Sequence, residues 1–363
     1  AALIGYVRNG RIAPGGSCRL LDTADGVIAL NLARDDDWAL LPAWLEEYVA
    51  PHWGSVAEAI RQRSAPALVE RGRELGLAVA EASSPFPWTG ENFLIPSPLT
   101  GEKAFLAPSP SMGENSAFTP SPWTGEGGGG GVKPLVVDLT SLWAGPLCSR
   151  LLQACGAEVV KIESLQRPDG ARRGSPAFFD RLNAGKRCVS LDFSSASGRA
   201  ELRAWLQRAD IVIEGSRPRA LRQLGIHAEE FIAAKPGLSW ISLTGYGRTP
   251  DAENAIAYGD DAAVAAGLSW VQYQATGTWM FVGDAIADPI TGLHAALVAW
   301  AGWRKGGAGL VPLALCDVVR QCIAFDLPAT SEAIRERQRV WAARVVGTHC
   351  RHPRVRGNDK SGC

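Results

Sequence analysis

The chain has 363 residues, 46% of them apolar and 20% charged, which is typical of a globular protein with one large domain or two smaller ones. Basic and acidic residues number 37 each, so no overall charge attracts nucleic acid or a membrane surface, and neither is expected as a partner. No apolar run approaches a membrane span of about 18 residues, and the eight scattered cysteines indicate reduced thiols and a cytoplasmic location.

Residues 1–82 are predicted to form a folded α+β segment. The pattern predicts, in order, a strand over 26–33, a helix over 35–49, a helix opened by a capping box at 55–58, a helix over 64–76 and a strand over 77–80. Pro42 fits poorly in the interior of the first helix. Gly76 is expected to end the third helix, since glycine is favoured at that position.

Residues 83–133 have a different character. Four copies of one Pro/Ser/Gly-rich motif occur there, as in "PSPLTGEK" and "PSPSMGEN". Each copy is too short and too polar to bury a core, so the segment is interpreted as a flexible linker or an insertion. A role as a proline-rich ligand would need PxxP spacing, and the copies offer only PxP.

From residue 134 onward, strands and helices alternate. The predicted strands are 134–139, 158–163, 188–193, 210–214 and 238–245, and the predicted helices are 144–157, 197–209, 218–225 and 228–235. This alternation predicts an α/β fold with a doubly wound, largely parallel sheet of the Rossmann type. The domain is expected to cover 134–345, followed by an unstructured tail over 346–363.

The stretch "VGDAIADPITGLHAALVAW" predicts a further helix within this domain. Asp288 is placed at its N-cap and Pro289 at its first helical position. The apolar side chains that follow at helical spacing are Ile290, Leu293, Leu297 and Trp300. Asp288 taken alone could be only a helix cap, or its carboxylate could take part in chemistry.

Several common sites are not supported by motifs. The chain has no GxGxxG, no GxxxxGK[ST], no HExxH and no GxSxG, and the tail stretch "THCRHP" lacks a fourth ligand at zinc spacing, so no metal site is predicted. Ligands of open α/β sheets bind beyond the carboxyl ends of the strands. The basic and aromatic candidates expected there are Lys186, Arg187, Arg217, Arg219, Arg222, Tyr246 and Arg248. Any one of them could equally be an ordinary surface side chain.

Five stretches in order carry a family resemblance. They are "LTSLWAGPLCSRLLQACGAEVVKIE", "LNAGKRCVSLDF", "ADIVIEGSRPRALRQLGI", "PGLSWISLTGYGR" and "GDAIADPITGLHAAL". Together they resemble the class III CoA-transferases, the CaiB/BaiF family, which also includes the α-methylacyl-CoA racemases. Residues 1–82 resemble the C-terminal part of that family, which indicates a permuted order or a truncated N-terminus.

The resemblance implies a role for Asp288. The transferases of the family use an aspartate at this position to attack an acyl-CoA thioester, with a mixed anhydride and then an aspartyl-CoA thioester as intermediates. A carboxylate at a helix N-terminus is expected to be ionised and oriented, and neighbouring backbone N–H groups could stabilise an oxyanion. Coenzyme A or an acyl-CoA is then a substrate, a small carboxylic acid is the acceptor, and no tightly bound cofactor is expected.

The resemblance also assigns ligand-binding residues and leaves alternatives open. The residues expected to hold CoA are Lys186, Arg187, Arg217, Arg222 and Tyr246, and the family resemblance implies a homodimer. Tyr258 replaces the histidine of the racemases, and tyrosine is a poor base at neutral pH, which disfavours racemisation. His294 is expected to be structural. An inactive CoA-binding relic of the family is a further alternative, because several CoA contacts are altered.

Overall fold

The computed structural model describes residue 7, residues 9–85 and residues 133–349. The predicted repetitive segment lies almost wholly outside these residues, as does the chain after His349. Within the described part, a three-stranded antiparallel sheet is followed by a six-stranded parallel sheet. None of the described helices combines the length and the apolar character that crossing a membrane requires.

The N-terminal segment forms the antiparallel sheet and four short helices. Its strands, in the order β1-β2-β3, are β1 Cys18–Asp22, β2 Val27–Asn31 and β3 Ala78–Glu81. Its helices are α1 Asp35–Ala39, α2 Leu41–Leu45, α3 Trp53–Ile60 and α4 Ala65–Leu75. A core that includes Ile28, Leu30 and Trp44 lies between the sheet and these helices.

One predicted helix boundary is confirmed, the end of α4, and two other predictions about these helices differ from the structure. Gly76 ends α4 with a φ of +82°, as predicted. The single helix expected over 35–49 is divided, because Pro42 stands in the first turn of α2, where its missing N–H has no cost. The capping box predicted at 55–58 is wrong, since α3 begins earlier and the His52 ring accepts a hydrogen bond from the Ser55 N–H.

The second part of the chain confirms the predicted α/β fold. Its strands, all parallel, follow the order β6-β5-β4-β7-β8-β9. Their bounds are β4 Leu135–Asp138, β5 Glu158–Ser164, β6 Arg187–Leu191, β7 Ile211–Glu214, β8 Ser239–Thr244 and β9 Gly309–Ala314. The chain order reverses between β4 and β7, and the carboxyl ends of strands beside such a reversal form a crevice suited to ligands.

Helices cover both faces of this sheet. They are α5 Ala144–Ala154, α6 Pro176–Asn183, α7 Ala196–Arg208, α8 Pro218–Gln223, α9 Ala228–Ala234, α10 Gly259–Ala265, α11 Leu268–Thr276, α12 Ala287–Arg304, α13 Leu315–Asp326 and α14 Ser331–His349. One apolar core lies under α5 and α12 and includes Cys148 and Ala299. The other lies under α7 and α9 and includes Leu202 and Phe231. Because α14 continues to His349, the boundary expected at residue 345 falls inside a helix.

Helix α12 buries only part of the face predicted for it, because Ile290 and Trp300 pack against the core whereas Leu293 and Leu297 do not. Leu293 and Leu297 are 55% and 69% exposed. The buried side instead carries small residues such as Gly292 and Ala295, and a Cβ on Gly292 would lie 2.6 Å from the Ala144 carbonyl oxygen. Small side chains allow α12 to pack closely against α5, and Leu293 and Leu297 are left on the outside.

The N-terminal segment packs against the α/β part within the same chain. Val27 and Ala29 of β2 share a core with Val264 of α10 and with Phe281. A buried hydrogen bond of 3.4 Å joins the Asn31 amide to Asp261. The segment therefore supports α10 from outside, and α10 in turn contacts the start of α12.

Candidate active site at Asp288

Asp288 lies in the first turn of α12. This helix begins at Ala287 with Ile286 in the N-cap position, so the prediction that Asp288 is the N-cap residue is wrong by two positions. Ala285, just before the helix, has a left-handed φ of +43° and donates its N–H to Asp260 at 2.8 Å. This turn brings the chain into α12 without a side-chain cap and leaves the Asp288 carboxylate available to other groups.

The Asp288 carboxylate lies at the starts of two neighbouring helices, whose first backbone N–H groups lower its pKa. They belong to Ala144 and Gly259, the first residues of α5 and α10. A Cβ on Gly259 would lie 2.2 Å from Asp288 Oδ2, so only glycine leaves room for the carboxylate there. The positive N-terminal end of α5 adds to the attraction. The carboxylate is thus oriented by main-chain donors that a side chain could not replace.

Burial nevertheless opposes the ionisation of this carboxylate. Desolvation, together with the negative charges of Asp260 and Asp261, raises the pKa of Asp288 to about 7, although its two N–H partners lower it. The pKa values of Asp260 and Asp261 are raised by the same desolvation to about 6 and about 7. At neutral pH Asp288 is therefore close to its midpoint, in contrast to the expectation that the helix terminus keeps it ionised.

Arginines gather beyond the carboxyl ends of the strands. Arg217 follows β7 in the N-cap position of α8, and burial together with the nearby Arg219, Arg34 and Arg167 lowers its pKa. Within the described part of the chain, Arg217 forms no ion pair. Arg34, from the N-terminal segment, is paired with Asp37. Uncompensated guanidinium groups beside a sheet crevice are suited to phosphate oxygens.

The structure does not bring Lys186 to the ligand side of this crevice. Its side chain has no exposed surface. The ammonium group donates to Asp138 at 3.3 Å, to the Pro146 carbonyl at 3.0 Å and to Asn183 at 2.9 Å. An ammonium group has three donors, and these contacts use all of them. The expectation that Lys186 holds CoA therefore has no geometric support.

The other candidates differ in their availability. Arg187 is exposed, but it is the first residue of β6 and so does not follow a strand end. Its guanidinium group lies over the Trp205 ring at 5.0 Å. Arg222 is exposed and pairs with Glu253 at 3.4 Å. Of the predicted CoA-binding residues, Arg217 is the one whose guanidinium group forms no described ion pair and lies near other arginines.

Two aromatic candidates are held by internal contacts. The Tyr246 hydroxyl lies 3.4 Å from Asp261, and its ring lies under the Arg73 guanidinium at 4.2 Å. Tyr258 stands in the N-cap position of α10, and burial raises the pKa of its hydroxyl.

His294 hydrogen-bonds through Nδ1 to the carbonyl of Ile290, one turn earlier, at 2.8 Å, as expected of a structural histidine. Among the described residues, no group of His, Cys, Asp and Glu side chains is arranged for a metal ion.

Sequence reasoning missed the groups that bind Asp288 directly. Ala144 and Gly259 act through their main-chain N–H groups, which carry no residue-type signature. The closeness of Arg34 to Arg217 was also missed, because it depends on how the N-terminal segment packs. A glycine immediately before paired acids, as in "YGDD", was the one available signal of close backbone approach.

Comparison with known proteins identifies relatives of the domain that carries this site. The model of CoA-transferase family III matches residues 133–352, more than half of the chain. The chain is 27% identical over 206 residues to the succinate–glutarate CoA-transferase of Agrobacterium fabrum, covering 52% of each chain. It is 30% identical over 199 residues to the formyl-CoA:oxalate CoA-transferase of Escherichia coli, covering 51% of this chain and 47% of that one.

A solved structure is similar as well. A CaiB/BaiF family protein from Brucella suis is 28% identical, with 53% of this chain and 54% of that chain covered and a TM-score of 0.48. The chain spans about half the length of the curated relatives it matches.

Proposed function

Since the chain belongs to CoA-transferase family III, we propose that it moves CoA from an acyl-CoA donor to a small carboxylic acid, with Asp288 as the nucleophile. The observation that supports this role is the position of the Asp288 carboxylate directly against Gly259, where the N–H groups of Ala144 and Gly259 lower its pKa. An oriented carboxylate with two main-chain donors is suited to covalent acyl transfer.

The first half of the proposed reaction activates the donor. An ionised oxygen of Asp288 attacks the thioester carbonyl carbon, the carbon–sulfur bond breaks, and CoA leaves as its thiolate. The product on the protein is a mixed anhydride between Asp288 and the acyl group. The thiolate then attacks the aspartyl carbonyl carbon, which releases the donor acid as its carboxylate and leaves an aspartyl-CoA thioester.

The second half transfers CoA to the acceptor. The acceptor carboxylate attacks the aspartyl thioester, CoA leaves as its thiolate, and a second mixed anhydride forms. The thiolate attacks the acceptor's carbonyl carbon in that anhydride, which releases the new acyl-CoA and restores the carboxylate of Asp288. In the steps where attack occurs at the aspartyl carbonyl, negative charge develops on its oxygen. We expect the nearby N–H groups of Ala144 and Gly259 to stabilise that charge, as an oxyanion hole does.

We further propose that the CoA nucleotide binds along the carboxyl ends of the strands. Arg217 is the best-supported contact for a phosphate group, and Arg187 and Arg222 are secondary candidates that can reach solvent. Lys186 and Tyr246 act on the site only through the internal contacts described above. No tightly bound cofactor is needed for this chemistry, since the substrate itself supplies the thiol.

Three further proposals concern the setting and the organisation of the protein. The six described cysteines are all unpaired, which fits a reducing compartment such as the cytoplasm. The exposed Leu293 and Leu297 lie one turn apart on α12 and could form part of the interface of a homodimer. Residues 1–82 and 83–133 are proposed as a C-terminal-like segment and a linker. The CoA-transferase domain is proposed to run from residue 134 to the end of α14 at His349.

Racemisation has less support than transfer. It needs a base that removes the α-proton of the acyl group, and Tyr258, at the position of the racemase histidine, has a raised pKa that keeps it neutral. Incubation with an acyl-CoA in deuterium oxide would reveal such a reaction by deuterium incorporation at the α-carbon. We expect none.

An isotope-exchange assay tests the transferase activity. The protein is incubated with a panel of acyl-CoAs and the corresponding labelled free acids, and label entering the acyl-CoA is measured. Wild type is expected to catalyse exchange, and Asp288→Asn is expected to be inactive. Asp317→Asn is the matched control, because Asp317 also lies in the first turn of a helix and its pKa is also raised by burial. CoA binding without exchange in the wild type would favour an inactive relic.

A further inference from the structure

Four charged side chains are buried around the turn that joins β4 to α5. They are Asp138, Lys161, Asp169 and Lys186, and none of these side chains has exposed surface. Lys161 pairs with Asp169 at 2.9 Å, and Lys186 pairs with Asp138 at 3.3 Å. Buried ion pairs usually contribute little net stability, because desolvating the charges offsets their attraction. Their presence here calls for a role other than stabilising the core.

Three of these side chains bind the main chain of the turn. Asp138 accepts a hydrogen bond from the Thr140 N–H at 2.9 Å, and Lys161 donates to the Thr140 carbonyl at 2.7 Å. Asp169 accepts a hydrogen bond from the Leu142 N–H at 2.9 Å. Both polar main-chain groups of Thr140 and the N–H of Leu142 are thus fixed by buried charges.

Leu142 shows that this turn is held against a local preference. Its φ is +68°, in the left-handed region that residues with a Cβ rarely adopt. Such a conformation persists only where surrounding contacts impose it. The hydrogen bond from the Leu142 N–H to Asp169 is such a contact. Two residues later, Ala144 begins α5.

The same charges also hold the first turns of α5. The Ser149 hydroxyl donates to Asp138 at 2.5 Å, and Lys186 donates to the Pro146 carbonyl at 3.0 Å. A Cβ on Gly145 would lie 2.1 Å from Thr140 Oγ1, so the helix start lies directly against the turn. The four buried charged side chains therefore hydrogen-bond to the chain both before and after Ala144.

We propose that Asp138, Lys161, Asp169 and Lys186 form a positioning network that aims the Ala144 N–H at the Asp288 carboxylate. The four side chains do not touch the reacting atoms and act only through the turn and the start of α5. This inference rests on the proposed role of Asp288. Its consequence is that removing a network residue changes the properties of a carboxylate that the residue does not contact.

The direction of that change separates positioning from simple electrostatics. Removing the negative charge of Asp169 would, through space alone, favour an ionised Asp288 and lower its pKa. Displacing the Ala144 N–H from the Asp288 carboxylate would instead raise the pKa of Asp288, because this N–H lowers that pKa. A rise in the pKa of Asp288 after removal of Asp169 is therefore the signature of positioning.

The test is a carboxyl ¹³C NMR titration of aspartate-labelled protein, with the Asp288 signal assigned from Asp288→Asn. The variants are Asp169→Ala, Asp169→Asn and the control Asp210→Ala. Asp210 binds the Leu135 N–H at the opposite end of β4, so the control perturbs the same strand away from the turn. The pKa of Asp288 is expected to rise in Asp169→Ala, to rise less in Asp169→Asn, which keeps an acceptor oxygen, and to stay unchanged in Asp210→Ala.

Activity gives a second readout. In Asp169→Ala the acylation rate of Asp288 at pH 7 is expected to fall about tenfold, with KM for the acyl-CoA nearly unchanged, as for the loss of one hydrogen bond to a charged group. An unchanged or lowered pKa of Asp288 in the folded variants would overturn the inference. If Asp169→Ala does not fold, the comparison of Asp169→Asn with wild type decides. A wild type without covalent chemistry would refute the proposed function, while the titration would still decide the positioning.

Discussion

Replacing Gly259 with alanine is expected to displace the proposed nucleophile without altering its chemistry. The added Cβ would lie 2.2 Å from Asp288 Oδ2 and 2.3 Å from the Ala285 carbonyl oxygen. Ordinary contacts begin near 3.4 Å, so the carboxylate must retreat by about 1 Å. Misplacement of a reacting group by about 1 Å can cost roughly 100-fold in rate. Forcing a methyl group into this space is also expected to cost about 1–3 kcal/mol of stability.

The rate of covalent labelling of Asp288 by an acyl-CoA measures this effect, and thermal unfolding measures the stability. Gly15→Ala is the control, because a Cβ there would meet no described atom within 4 Å and the residue has an ordinary φ. We expect the labelling rate to fall roughly 100-fold in Gly259→Ala and to equal that of wild type in Gly15→Ala. A folded Gly259→Ala protein that is labelled at the wild-type rate would refute the proposed geometry.

Three further predictions concern stability, CoA binding and assembly. Burial raises the pKa of Asp288 from its ordinary 3.8 to about 7, so ionisation of this carboxyl opposes folding increasingly as the pH rises between those values. In differential scanning fluorimetry, Asp288→Asn should therefore raise the Tm more at pH 8 than at pH 4. A larger gain in Tm at pH 4 would contradict this reasoning. Arg217→Ala should raise KM for acyl-CoA about tenfold with kcat retained. The control Arg335→Ala, which removes an exposed pair with Glu332, should change KM less than about twofold; equal effects would argue against the arginine site. If α12 forms a homodimer interface, Leu297→Asp should yield monomers in sedimentation velocity, and an unchanged sedimentation coefficient would exclude that interface.

The parts of the fold that follow local rules could be predicted from the sequence. Apolar runs identified five of the six parallel strands, all but β9, and Gly76 marked the end of α4. Alternation of strands and helices gave the doubly wound sheet, because parallel strands need such connections. The helix around Asp288 was also expected, although its first residue was misplaced, since no side-chain cap marks it.

The rest depended on packing that no local pattern encodes. Helical spacing identified an apolar stripe through Leu293 and Leu297, but the small residues opposite them allow the closer contact with α5 and are buried instead. Lys186 was expected to face a ligand, since lysines are seldom buried, yet two acceptor side chains and a carbonyl surround it. The main-chain donors to Asp288 could not be found from residue types at all.

The most direct test of the central claim is mass spectrometry of the intact protein after incubation with acyl-CoAs, with hydroxylamine added to trap activated carboxylates. Peptide mapping then locates the modified residue in wild type and in Asp288→Asn. We expect a hydroxamate on Asp288 in the wild type and none in the variant. A folded wild type that binds CoA but yields no adduct, or an adduct on a residue other than Asp288, would contradict the assignment of Asp288 as the nucleophile.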